Sequence, residues 1–316
     1  MLKFLLKRIS ISLLIVFLVS LFAFSLMHIL PGDPARLALG EEASQEDVDT
    51  LRRELNLDKP IPTQYWLWIS GIAKGDFGKS IMHNRSITDM LIEKLPKTIS
   101  IGLPALIIST VLGISFGVIS SVRRGKPIDQ FITFCATIGA GTPTFWISIL
   151  CIYFFSLRLN LLPIQGWVSP AENFADYVLH AILPVFCLSL HLVASVARQT
   201  RANMLDTLSQ DYIRTARANG IAESRVVLIH ALKNALIPII TIIALQVRVV
   251  IGGSLMVEQV FNISGIGFMV RMAISNRDYL VVQSSVLIIS LVTVTCNLVV
   301  DILYGIINPQ VRKSWR

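Results

Sequence analysis

Three sets of residues in this 316-residue chain have the types and spacing that chemistry requires. Gly113, Ser115 and Gly117 match Gly-x-Ser-x-Gly, the elbow that presents a serine nucleophile, and His180 or His191 would be its base. Ala73, Gly78, Lys79 and Ser80 come within one residue of the phosphate-binding loop Gly-x4-Gly-Lys-Ser/Thr. Five histidines (His28, His83, His180, His191 and His230) and four cysteines are the potential metal ligands. Each set has a plainer explanation. The serine motif lies inside a continuous apolar run rather than at a strand-to-helix corner, and there its glycines serve close helix packing. The lysine-serine pair lacks the leading glycine, which is Ala73 here, and any preceding strand. His180 and His191 are eleven residues apart, close to three helical turns, so they share a face but stand about 16 Å from each other. No His-Glu-x-x-His occurs, His28 and His83 have no partner at ligand spacing, and His230 falls in a charged stretch. Cys135, Cys151, Cys187 and Cys296 all sit in apolar runs without a Cys-x-x-Cys, which reads as reduced packing residues and no metal site. An intramembrane serine hydrolase using Ser115 with His180 or His191 is the rival function. It alone predicts labelling by a fluorophosphonate probe.

The elements that position any site follow from composition. Hydrophobic residues make up 53% of the chain, charged residues only 15%, and the mean hydropathy is +0.67, which is more apolar surface than a soluble domain of this length buries. The net charge of +8 sits in short segments between long uncharged runs, which excludes a nucleic-acid partner. About 20 apolar residues are needed to cross the hydrocarbon core. Six runs qualify: Ile9 to Leu30, Thr98 to Val122, Gln130 to Leu157, Tyr177 to Ala197, Leu236 to Val257 (interrupted by Arg248) and Tyr279 to Val300, extending past Asp301. The first is too long for a signal peptide and no small-x-small cleavage site follows it. The expected fold is therefore an all-α integral membrane protein with six transmembrane helices and both termini on one side.

Short-loop cations set the orientation. Lys3, Lys7, Arg8, Arg123, Arg124, Lys126, Arg198, Arg201, Arg214, Arg217, Arg225, Lys233, Arg312, Lys313 and Arg316 share one side with only Asp129, Asp206, Asp211 and Glu223. The opposite short loops hold Arg158, Arg271 and Arg277 against Glu172, Asp176, Glu258 and Asp278. The termini are thus expected in the cytosol. Three divisions result: 1–30 with the first span, an extracytoplasmic insertion over 31–97, and a core over 98–316 with a cytosolic loop at about 198–236. In the insertion, Ser44 and Asp47 form a capping box ahead of Val48, Leu51 and Leu55. Tyr65, Trp66, Ile69, Ile72 and Ala73 mark a second helix, and Ser86 with Asp89 opens a third, carrying Ile87, Met90, Leu91 and Leu95 up to Pro96. Pro143 with the Gly139-Ala140-Gly141 run, and Pro184, are the places where spans bend.

The stretch from Arg198 to Pro238 is the most informative. It predicts a short polar helix at Asp211-Tyr212-Ile213-Arg214-Thr215-Ala216-Arg217-Ala218, a stop at Asn219-Gly220, and a second helix from about Arg225 that leads into a span. The first helix carries Tyr212, Ile213 and Ala216 on one flank and lacks large apolar anchors for lipid, which favours docking in a groove of another protein.

This stretch resembles the cytosolic loop of inner-membrane permease subunits of binding-protein-dependent ABC importers, in the dipeptide, oligopeptide and nickel branch. The branch pattern looks like Asp-Tyr-x-Arg-Thr-Ala-Arg-Ala-x-Gly followed by His-x-Leu-x-Asn-Ala, and Asp211 to Gly220 with His230, Leu232, Asn234 and Ala235 match it. Gly32-Asp33-Pro34, Leu57-Asp58 with Pro60, Gly75-Asp76-Phe77-Gly78 with Ser80, Pro143 with Phe145 and Trp146, Leu162-Pro163, Gly252-Gly253, Glu258 with Phe261, Gly265-Ile266-Gly267 and Arg277-Asp278-Tyr279 extend the resemblance along nearly the whole chain. Ser264 and Arg248 depart from it, standing where the family usually has Pro and a small residue. The resemblance implies the six-helix permease fold, no bond chemistry and no cofactor on this chain. It also implies a homologous second permease, two cytosolic ATPases that hold ATP and magnesium, and an extracytoplasmic binding protein that delivers a peptide or nickel chelate. Asp211, Tyr212, Arg214, Thr215, Ala216, Arg217, Gly220, His230 and Asn234 are then the coupling residues. Arg248, Gly141, Pro143, Trp146 and Glu258 are the candidate pathway residues. A charge such as Arg248 inside a span costs at least about 2.5 kcal/mol, so it faces either the pathway, where it attracts a carboxylate, or an acid of the partner.

Overall fold

The computed structural model describes residues 2–29, 33–40 and 43–307. Gly32 of the sequence motif and Arg312, Lys313 and Arg316 lie outside the described residues. The elements in chain order are α1 (Leu2–Ile29), α2 (Pro34–Leu39), α3 (Gln45–Glu54), α4 (Ile61–Ala73), α5 (Ile87–Val122), α6 (Pro127–Gly141), α7 (Thr144–Cys151, continued by π-helical turns over Ile152–Arg158), α8 (Phe174–Leu208), α9 (Asp211–Ala218), α10 (Glu223–Arg225, continued by π-helical turns over Val226–Ala231), α11 (Leu232–Val260), α12 (Ile266–Ser275) and α13 (Tyr279–Ile307). Parts or all of α1, α5, α8, α11 and α13 are long and apolar enough to cross a membrane. The sixth candidate is bent: α6 and α7 meet at 103°.

That bend has a local cause. Proline disfavours helical geometry in the residue before it, and Thr142 ahead of Pro143 is extended (φ −90°, ψ 127°) while its own N–H still closes the last turn of α6 on the Ile138 carbonyl. The run expected to cross unbroken from Gln130 to Leu157 is thus two helices at an angle. Proline alone does not break a helix here. The expected short helix ending at Pro96 is instead the first part of α5, which runs 36 residues through Pro96 and Pro104. The reason is packing. Ile87, Met90 and Leu91 are buried with Ile266, Met269, Val270 and Ala273 of α12 and Val281 of α13, and that contact holds the helix against the roughly 3 kcal/mol that an internal proline costs.

Glycine sets the closest approach in the bundle. A Cβ on Gly113 would lie 2.6 Å from Val196 Cβ, and one on Gly117 would lie 2.4 Å from Thr200 Cβ and 2.7 Å from the Ala197 carbonyl oxygen. The serine between them points elsewhere: Ser115 is exposed and its hydroxyl donates to the Val111 carbonyl of its own helix. The Gly-x-Ser-x-Gly sequence is therefore an α5–α8 packing seam, and the hydrolase expectation is overturned.

Charged groups fasten the two ends. Asp129 at the start of α6 is buried and takes a bidentate pair from Arg201 of α8 (2.7 and 2.8 Å), the Gly125 N–H (2.8 Å) and the Ser120 hydroxyl of α5. At the same end Arg8 of α1 meets Asp301 of α13 at 2.7 Å. At the opposite end, the segment that mimics a phosphate loop is a strap on α13. Ser80 Oγ donates to Asp278 Oδ2 (2.5 Å), and the Phe77 carbonyl accepts from Ser284 Oγ (3.1 Å). Helix α4 lies along α1 through a Ser20–Tyr65 hydroxyl contact of 2.7 Å and His28 Nε2 at 3.1 Å from Gln64 Oε1. Ser44 caps α3 as its sequence predicts, accepting from the Asp47 N–H at 3.1 Å.

Two substitutions separate these roles. Gly117→Val should lower the thermal stability of the detergent-solubilised protein by about 1–3 kcal/mol through overpacking, while Ser115→Ala should leave it unchanged. Arg201→Ala should cost more, about 3–5 kcal/mol, because it strands a buried carboxylate. A melt that ranks Ser115→Ala with the other two would refute this division.

Candidate functional site

Helix α9 is only eight residues long and carries Asp211, Arg214 and Arg217, so it has little stability of its own. It is held by one apolar edge. Ile213 and Ala216 are buried with Met204 of α8, Val226, Val227 and Ala231 of the π-helical turns, and Ala235 and Ile239 of α11. Two polar ties reinforce the seat. The Asn234 amide donates to the Tyr212 hydroxyl (2.8 Å) and to the His230 carbonyl (3.1 Å), and Arg217 makes two bonds to Glu223 (3.1 and 2.6 Å). Between α9 and α10 the chain turns at Gly220, whose φ of +75° is left-handed; a Cβ added there would meet open space, so only backbone conformation requires glycine. The outward surface is left to Asp211, Tyr212, Arg214, Thr215 and Ala218, all exposed.

This corrects one part of the sequence reading. The flank formed by Ile213 and Ala216 does not face outward for another protein; it seats α9 on its own chain, because the neighbouring helices supply the apolar cover that a free eight-residue helix lacks. Ala216 thus has no surface to offer a partner, and the polar edge does.

A second feature runs from the middle of the bundle toward the end that carries Arg201. His191 is seventeen residues from either end of α8, and with Ser195 and Gln199 it forms a stripe at every fourth position. Across from it stand Gln246 and Arg248 of α11, together enclosing an open cleft of about 570 Å³. Arg248 also reaches the mouth of an apolar cleft of about 350 Å³ between α5, α11, α12 and α13. None of these five side chains makes a hydrogen bond or ion pair with a described residue. Sequence reasoning singled out Arg248 but missed Ser195, Gln199 and Gln246, although the every-fourth-residue polar spacing in an apolar run was there to be seen.

The other residues expected on a pathway lie elsewhere. Gly141, Pro143 and Trp146 are exposed around the α6–α7 bend. Glu258 lines no open surface: it is fully buried near the end of α11, where it accepts from Thr98 Oγ1 (2.7 Å) and the Phe268 N–H (2.9 Å). Thr98 Oγ1 in turn accepts from the Ile266 N–H (2.8 Å). A Cβ on Gly265 would sit 2.5 Å from Glu258 Cδ, which explains the Gly265-Ile266-Gly267 sequence as a wrap around this carboxylate. Glu258 is a knot joining α5, α11 and α12.

The comparisons with known proteins bear on a chain with this geometry. The family described as "Binding-protein-dependent transport system inner membrane component" matches residues 109–313, and its companion "Binding-prot-dependent transport system membrane comp, N-term" matches residues 1–102. The chain belongs to this family of inner-membrane transport components. It is 38% identical over 309 residues to the "Probable peptide ABC transporter permease protein y4tP" of Sinorhizobium fredii, covering 98% of this chain and 99% of that one. It is 39% identical over 312 residues to the "Glutathione transport system permease protein GsiC" of Escherichia coli strain K12, covering 99% of each. Among solved structures, the inward-facing MetNI methionine ABC transporter aligns with a TM-score of 0.55 at 15% identity over 69% of this chain and 96% of that chain, which supports the shared fold. The protein is thus a permease subunit of a binding-protein-dependent ABC importer. Such subunits are not enzymes themselves, which agrees with the place of Ser115 on an outer helix face.

The seat of this permease's α9 makes two predictions. Ile213→Ala should destabilise the region by about 2–5 kcal/mol, read as loss of hydrogen-exchange protection in residues 211–218. The hydrogen bond from Arg217 holds the Glu223 carboxyl below its usual range. A folded-state value below the unfolded one means the tie is complete above the usual carboxylate range and is lost as pH falls through the depressed value. Protection of residues 219–225 should drop in acid, and Glu223→Gln should abolish that pH dependence. Protection indifferent to both changes would mean the pair does not hold the turn.

Proposed function

We propose that the face carrying Arg8, Arg201, Arg214, Arg217 and Arg225 lies in the cytosol, with both termini, and that residues 31–97 form an extracytoplasmic surface for a binding protein. The support is the excess of short-loop cations on that face. The cargo is a small peptide. Its support is the naming of the relatives for peptide and for glutathione transport, both of which are carboxylate-bearing cargoes. A homologous second permease completes the pathway, two ATPase subunits bind ATP and magnesium in the cytosol, and lipid surrounds the spans. No cofactor is assigned to this chain.

The observation that carries the coupling reading is the way α9 is held: apolar edge inward, polar edge outward, on the root of α11. Asp211, Tyr212, Arg214 and Thr215 form the contact edge toward an ATPase groove. Ala216, Arg217, Gly220, His230 and Asn234 fix the angle between that edge and α11. When the ATPases close on ATP, displacement of α9 passes through the π-helical turns to α11, a single helix of 29 residues. At its far end the Glu258 knot carries the movement to α12. Such a rigid link converts motion in the cytosol into rearrangement at the outer face.

Gly220 provides the test. A β-branched residue in the left-handed region costs about 1–2 kcal/mol, roughly a tenfold loss of the correctly set turn. In proteoliposomes holding the whole transporter, Gly220→Val should keep ATP hydrolysis but lower peptide uptake about tenfold, and Gly220→Asn, which tolerates this backbone, should keep most of it. Wild-type uptake by Gly220→Val would refute the lever.

A further inference from the structure

We propose that the cleft between α8 and α11 is a carboxylate station on the transport path, where Arg248, with Gln246, His191, Ser195 and Gln199, takes the free C-terminal carboxylate of a passing peptide. The proposal rests on the peptide-transport reading above and adds where, and by which end, the cargo is held.

Three observations carry it. The first is charge. Among the cleft residues Arg248 is the sole ion, with no Asp or Glu beside it, so the cleft holds one uncompensated positive charge. A charge inside a span is retained where it meets water, a partner or cargo. Arg248 has no partner among the described residues and is exposed.

The second is hydrogen bonding. Gln246 is only 4% exposed, lines the cleft, and has no hydrogen-bond partner among the described residues. Its amide atoms are not sealed from solvent and stay free for a ligand, and an amide N–H beside a guanidinium suits an anionic oxygen. Ser195 and Gln199 add further donors from the facing helix, also unbonded.

The third is depth. Arg248 follows the start of α11 by sixteen residues, about 24 Å along the helix, and His191 is at the midpoint of α8. Arg248 stands near the middle of the run Leu236 to Val257, far from either surface, while His191, Ser195 and Gln199 continue the cleft toward the end of α8 that carries Arg201, which leaves a way for cargo. The planar fork of arginine matches the two oxygens of a carboxylate, which distinguishes this end of a peptide from its backbone carbonyls. The site holds its ligand without bond making or breaking.

The test uses proteoliposomes of the whole transporter with saturating binding protein, and compares uptake of a tetrapeptide with uptake of its C-terminal amide. Wild type should move the free acid about tenfold faster than the amide, the value of one charge-assisted contact. Arg248→Gln should bring that ratio near one, and Arg248→Lys, which keeps the charge but loses the fork, should retain only part of the preference. Gln199→Leu, which changes no charge, should narrow the ratio about threefold. An unchanged ratio in both Arg248→Gln and Gln199→Leu would overturn the station while leaving peptide transport intact. Loss of the partner permease on purification of Arg248→Gln, with an unchanged ratio in Gln199→Leu, would assign the arginine to assembly and overturn it too. Failure of wild type to accumulate either peptide would instead refute the transport reading itself.

Discussion

Burial of Ile213 and Ala216 against the base of α8 and α11 is the contact on which the position of α9 depends. A polar helix of eight residues cannot pay its own ordering entropy in water. Seated on an apolar floor, it becomes a fixed projection of the membrane domain, and its remaining polar edge becomes a defined surface. The Tyr212–Asn234 and Arg217–Glu223 ties then act mainly on angle, since exposed polar pairs contribute little to stability.

The same logic of buried, fully met groups recurs at the ends of the bundle. Asp129 receives four hydrogen bonds from three separate stretches of chain, and Glu258 is enclosed by α5, α11 and the first turn of α12. A carboxylate in such a place is tolerated only if its donors are fixed, so each acid makes the surrounding helices rigid relative to one another. Between the ends the packing is apolar and close, through Gly113 and Gly117 on α5. Stiff ends and a tight seam leave the α8–α11 cleft as a polar opening in otherwise dry surroundings.

Much of this was legible in the sequence, for identifiable reasons. Long uncharged runs fix helices whatever their neighbours, so the spans, the Ser44 cap and the stop at Asn219-Gly220 followed from local rules. The third span was legible only in part: Pro143 marked the bend, but its angle depends on what α6 and α7 pack against. Pro96 misled because the packing of Ile87, Met90 and Leu91 outweighs the proline. The direction of a side chain around a helix was the hardest to read. Ala216 and Glu258 were expected on open surfaces and are buried, because an eight-residue polar helix and an acid near a span end look alike whether they face a partner or their own fold. Ser195, Gln199 and Gln246 were overlooked because each alone is an ordinary helical residue, and only their convergence with Arg248 gives them meaning.

The π-helical turns over Val226–Ala231 set the azimuth of everything that follows. Each residue of an α-helix advances the chain by about 100° of rotation, so a segment wound more loosely at the root of α11 determines which way Arg248 and Gln246 look when α9 is in its seat. Deleting one residue from these six would swing the downstream half of α11 by about that angle and present its dry side to the opening. The spacing between the matched Gly220 and Leu232 is thus a phase constraint as much as a length, which ties the winding of six residues at the base to the side of α11 that Arg248 and Gln246 present.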